Sequence, residues 1–159
     1  MYKITETFKD YMGIERSEDF YFNLDEVELY KLQLEEVGGF REMMQVIIQK
    51  KDIPKMIKVF EKIIDSAYGV RSPDGRNFYK GYLKPELLVD FKSTKAYSQI
   101  FTRFATNSEF ASEFVRNVIP EDLATKVEEM QAKGELPTEK DIIDGKITNI
   151  QDMNKPTDK

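Results

Sequence analysis

Between residues 53 and 68 the apolar residues Ile53, Met56, Ile57, Phe60, Ile63, Ile64, Ala67 and Tyr68 recur at steps of three and four. That period holds for about four turns and puts every one of them on a single face of a helix. Asp52 stands where a helix cap belongs, and Pro54 is tolerated in a first turn. Gly69 follows the last periodic residue, the place of a left-handed helix closer. A helix with so wide an apolar stripe needs other elements to cover it, so its neighbours decide the fold.

Those neighbours read mainly as more helices. Asn23, with Glu26 three residues on, has the form of a capping box before a helix over about Leu24–Val37, whose inward stripe is Val27, Tyr30, Leu34 and Val37. After Gly38-Gly39 comes a second stripe, Phe40, Met43, Met44, Ile47 and Ile48. Pro85 opens a helix with Leu87, Leu88 and Phe91 inward. Ser93 or Thr94 starts one with Tyr97, Ile100, Phe101 and Phe104 inward, and Thr106 with Glu109 caps another carrying Phe110, Ala111, Phe114, Val115 and Val118. A thinner stripe follows over Glu121–Lys133 and Gly134 closes it. The expected fold is all-α: one compact domain of about five to seven short amphipathic helices around an elaborated central loop. Residues 1–19, mixed in charge and aromatics around Gly13, read as an N-terminal arm; residues 20–134 as the helical domain; residues 135–159, without aromatics, as a polar, mobile C-terminal tail.

Composition narrows the chemistry. The chain has 159 residues, 40% of them apolar, enough for a core. It has no Cys and no His, which removes disulfides, thiol nucleophiles, imidazole general bases and zinc sites built on either ligand. The net charge of −5 argues against a nucleic-acid backbone as the main partner. No segment approaches the roughly 18 consecutive apolar residues of a membrane span, and the N-terminus lacks a signal-peptide core. The expected setting is a cytoplasm, with no cofactor, no metal, no catalytic residue and no membrane.

Four constellations carry a functional reading beside a plainer one. The stripe Phe40, Met43, Met44 and Ile47 suits an adaptable partner groove, or is simply core. In the connection after Gly69, Arg71, Arg76, Lys80 and Lys84 alternate with Phe78, Tyr79 and Tyr82, a mixture that binds an acidic or nucleic-acid partner, or else anchors a loop under solvated cations. The carboxylates Asp25, Glu26, Glu28, Glu35, Glu36, Glu128 and Glu129 read as solvated helix faces rather than an acid–base pair. Ser72-Pro73-Asp74-Gly75 is a type I turn without the calcium-loop pattern.

The connection is also the most specific motif. YGVRSPDGRNF (Tyr68–Phe78) resembles the Tyr-Gly-x-Arg/Lys-Ser-x-Asp-Gly-Arg/Lys-x-Phe pattern of the tail assembly chaperones of tailed bacteriophages. FKSTKAYSQIF (Phe91–Phe101), ATNSEFASEFVRNVIP (Ala105–Pro120) and the opening FNLDEVELYKLQLEEVGGFREMMQ are similar to the same family, and together the likeness covers about residues 21–120. The resemblance implies a helical, non-enzymatic protein that coats the hydrophobic, coiled tape-measure protein until tail-tube subunits polymerise around it, in the host cytoplasm. It offers no catalytic residue to carry over. The partner-binding candidates are Phe40, Met43, Met44, Ile47, Arg71, Arg76, Phe78, Tyr79 and Tyr82. Two departures, the aromatic linker Phe78–Tyr82 and the long polar tail, keep open the alternative of a permanent head or tail subunit that binds neighbouring virion subunits through its terminal arms. Homo-oligomerisation is compatible with either.

Overall fold

The computed structural model describes residues 1–35, 39, 46, 52–119, 122, 125–126, 129 and 132–133. Among them the elements run β1 (Tyr2–Lys9), β2 (Glu15–Phe22), α1 (Glu26–Glu35), α2 (Ile53–Ala67), β3 (Tyr68–Arg71), β4 (Phe78–Lys80), α3 (Pro85–Lys92), α4 (Lys95–Thr106) and α5 (Ser108–Val118). The four strands form one antiparallel sheet in the order β1-β2-β3-β4. The all-α expectation is therefore wrong: the fold is α+β.

The missed strands have physical causes. β1 alternates cleanly, with Ile4, Glu6 and Phe8 buried and Lys3, Thr5, Thr7 and Lys9 exposed, but its middle inward position is a carboxylate. Glu6 is acceptable there because Arg103 of α4 donates to it at 2.7 Å. In β2, Glu15–Asp19 are exposed on both faces, so no apolar alternation marks them, and only Phe20 and Phe22 turn inward. The stretch read as an arm is thus a hairpin packed into the core. Gly13, at φ +82°, makes its turn.

The helices follow their stripes more closely. In α2, Met56, Val59, Phe60, Ile63, Ile64 and Ala67 are buried, and Asp52 caps the first turn by accepting from the Lys55 amide. Thr94 caps α4 and Asn107 caps α5, one residue beyond the Thr106 expected. The box at α1 lies two residues later than expected. Asp25 and Glu28 bond each other's amides, each at 2.9 Å, while Val27 is exposed. Gly69 does not close a helix. The chain passes from Ala67 directly into β3, and a Cβ on Gly69 would lie 2.8 Å from the Phe78 ring and 2.7 Å from the Tyr79 carbonyl oxygen. Only glycine lets β4 approach that closely.

Sheet and helices meet in one aromatic core. Phe60 and Phe104 stack at 3.5 Å and Tyr68 and Phe91 at 4.2 Å between centroids. Phe22 touches Tyr68, Phe91 and Phe114, tying β2 to β3, α3 and α5. Phe22→Ala is expected to lower unfolding free energy by about 3–5 kcal/mol in urea titrations, the range for a fully buried Phe. A loss below about 1 kcal/mol would mean that the N-terminal segment is an appendage.

Candidate functional site

The β3–β4 connection holds together through its own polar atoms. The Ser72 amide donates to the Asn77 carbonyl and the Asn77 amide to Ser72 Oγ, both at 2.9 Å. The Gly75 amide donates to the Ser72 carbonyl, with Gly75 at φ +74°, and Asp74 accepts from Ser72 Oγ and the Arg76 amide. Those bonds, the Ser72 hydroxyl first, hold the Asp74 carboxyl below its ordinary pKa. The expected turn is therefore present, and it carries Arg76 in an exposed position.

Register splits the expected binding cluster between two faces. Arg71 pairs across the strands with Phe78, so the two share one face of the sheet, the face that Lys80 opposite Gly69 also takes. There the Arg71 guanidinium lies 4.9 Å from the Tyr21 ring centroid and Phe78 packs on Gly69. Tyr79, opposite Val70, points the other way and is half exposed beneath Lys84, whose Nζ sits 3.9 Å from its ring centroid. Tyr82, Leu83 and, on α3, Val89 are exposed as well. A cleft of about 480 Å³ opens between Gly81, Tyr82, Pro85, Leu88 and Val89. The stripe candidates Phe40, Met43, Met44 and Ile47 lie outside the described residues.

Beside Phe78 lies a polar knot that sequence spacing did not reveal. Lys80, expected as a solvated cation, and Glu28, expected on a solvated face, are 6% and 5% exposed and form an ion pair at 2.7 Å. The Lys80 ammonium also donates to the Asn23 carbonyl. The Glu28 carboxylate accepts from Lys80, from the Asp25 amide and, through its other oxygen, from the Tyr82 hydroxyl at 3.0 Å. One carboxylate thus caps α1, pairs β4 and positions Tyr82. Lys80 and Glu28 stand 52 residues apart, and no local pattern links them.

Among the described residues no group of three or more His, Cys, Asp or Glu is placed to hold a metal ion, and no helix is long and apolar enough to cross a membrane. The outer edge of β1, unpaired among the described residues, is a poor strand acceptor, because Lys3 and Lys9 flank it and Glu6 points inward. A family model described as phage tail assembly chaperone matches residues 1–158, hairpin included. No curated protein and no solved structure gives a significant match.

Two outcomes test this geometry. Lys80→Met leaves Glu28 buried without its cation and is expected to cost about 3–5 kcal/mol, with part of the loss restored by adding Glu28→Leu, a double-mutant cycle readable in urea. Tyr68 is buried and near Asp90 and Glu18, which pushes its hydroxyl up to about 12 from 10.0. The unfolded phenol ionises first, so stability is fully present below pH 10 and falls between pH 10 and 12. Alkaline denaturation followed by tyrosinate absorbance should show a shallower fall in Tyr68→Phe.

Proposed function

The chain belongs to the phage tail assembly chaperones, and we propose that it shields helical segments of the tape-measure protein, and tail-tube subunits after them, while tails are built in the host cytoplasm. The observation that carries this reading is the exposed run Tyr79, Tyr82, Leu83 and Val89 beside an open cleft, on a chain whose net charge is −5. Apolar area of this kind suits one face of an amphipathic helix, and the acidic remainder keeps the complex soluble. The knot of Lys80, Glu28 and Tyr82 holds the seat in place before a client arrives, which lowers the ordering cost of binding. The stripe Phe40, Met43, Met44 and Ile47 supplies a second part of the client surface on this proposal, and Arg71, Arg76 and Phe78 a third. Binding without turnover is the role that fits the family.

The alternative of a permanent virion subunit drew on an N-terminal arm and a C-terminal tail able to lash neighbours together. Tyr2–Phe22 instead forms two paired strands with Ile4, Phe8, Phe20 and Phe22 in the core, which takes away the N-terminal part of that support, and residues 135–159 lie outside the described residues.

Co-expression with a tape-measure fragment that is insoluble alone tests the proposal. The wild-type chain should keep the fragment soluble. Tyr82→Asp/Val89→Asp and Met43→Asp/Met44→Asp, each verified as folded by circular dichroism, should each weaken fragment binding about tenfold or more. Undiminished solubility of the fragment with both folded variants would remove this surface as the client seat.

A further inference from the structure

Among the described residues, the largest apolar exposure outside the cleft is the tip of the β1–β2 hairpin, where Tyr11 is 76% and Met12 85% exposed, with Ile14 beside them. The tip is not a loose loop. Asp10 Oδ1 accepts from the amides of Met12 and Ile14, its other oxygen accepts from Arg16 Nε at 2.7 Å, and the Asp10 amide bonds the Ile14 carbonyl. Gly13 adds a bond from its amide to the Asp10 carbonyl. Five hydrogen bonds therefore converge on one turn whose only outward cargo is apolar. Ordering a turn while exposing its largest apolar side chains is unfavourable for an isolated monomer, and a rigid apolar knob is what a binding hot spot requires.

Knob and cleft occupy one face. A second cleft of about 380 Å³ runs from Tyr11 and Met12 past Asp90 to Ser93, and Ser93 also lines the cleft at Tyr82, Leu88 and Val89. The charged side chains along this joint surface are Asp10, Glu18 and Asp90 against Arg16, Lys92 and Lys95, three of each sign. The face is thus neutral although the whole chain carries −5. A partner of strong charge has nothing to recognise here, whereas a second copy meets no net repulsion.

We propose that this face pairs with itself: two copies related by a two-fold axis, each seating its Tyr11–Met12 tip in the cleft that Tyr82, Leu88 and Val89 line on the other. A surface carrying both knob and socket closes after two subunits when it meets its own copy about a two-fold. The pairing also regulates the seat assigned above, and in this respect it rests on that assignment. Tip and client helix compete for one cleft, so the dimer is the client-free form and the client displaces the partner's tip.

Because the chain has no cysteine, thiol cross-linking gives a clean test. Met12→Cys and Val89→Cys chains, mixed and treated with a short bismaleimide, should give a mixed cross-linked dimer severalfold more abundant than the product of either chain alone. In sedimentation equilibrium the wild-type chain should show a concentration-dependent dimer. Met12→Asp should raise its dissociation constant at least tenfold while keeping the wild-type circular dichroism and the ability to hold a tape-measure fragment in solution. A wild-type chain that remains monomeric across the concentration range, a Met12→Asp chain that dimerises as well as wild type, or equal cross-linking in mixed and separate samples would each overturn the pairing. None of these results bears on client binding, which the Tyr82→Asp/Val89→Asp chain reports separately.

Discussion

The sheet is two hairpins joined by a seam of two residue pairs, Tyr21 with Gly69 and Phe22 with Tyr68. So short a ladder holds little by backbone bonding alone, and an isolated hairpin is marginal in water. Side chains on both faces of the seam supply the rest. Inward, Phe22 lies 5.2 to 6.0 Å from the rings of Tyr68, Phe91 and Phe114. Outward, Arg71 covers Tyr21 and donates to its hydroxyl. The Asn23 amide, bonded to the Ala67 carbonyl, extends the seam by one step. Phe20 adds a direct contact from β2 to α3, its ring 5.0 Å from that of Phe91.

The buried ion pair is the second constraint, and it has a different character. Taking Lys80 and Glu28 out of water costs free energy that their attraction only roughly offsets, so a net gain in stability does not explain them. Their value is positional. A wholly apolar contact would let β4 and α1 settle in several registers. A carboxylate with three donors from three segments accepts one arrangement, and Tyr82 is among the donors. The exposed aromatic of the proposed client seat is therefore fixed by atoms that never touch a client.

How much of this was legible differs by element. Helices were readable because each covered face needs residues at three and four, and Phe60, Phe104 and Phe114 stand where that period puts them. Caps were readable to within two residues, since Asn23, Asp25, Thr106 and Asn107 are all competent and local sequence does not choose among them. The strands were not readable. β1 hides a carboxylate at its centre, neutralised by an arginine 97 residues away, and half of β2 is solvated on both faces. Gly69 was misread for a related reason: its need for glycine comes from the Phe78 ring across the ladder, not from its own backbone angle. The motif at Tyr68–Phe78 pointed to the family although most of its residues serve the turn and the seam. In the expected site, Tyr82 lines the cleft, while strand alternation turns Tyr79 to the opposite face of the sheet from Arg71 and Phe78.

A chaperone of assembly must hold its client and then lose it to polymerising subunits, so its affinity has an upper limit as well as a lower one. A client that displaces a bound tip from the cleft binds with an apparent affinity reduced by the free energy of that displacement. Self-pairing of the neutral face thus performs two tasks with one contact on this reading. It covers Tyr82, Leu83, Val89, Tyr11 and Met12 while no client is present, which restrains aggregation of a chain with a large apolar patch. It also weakens the grip on the client without weakening the contact itself, because each release is assisted by a tip ready to return. The rigidity of the Asp10 turn matters to both tasks: a flexible tip would spend its contact energy on ordering and compete poorly.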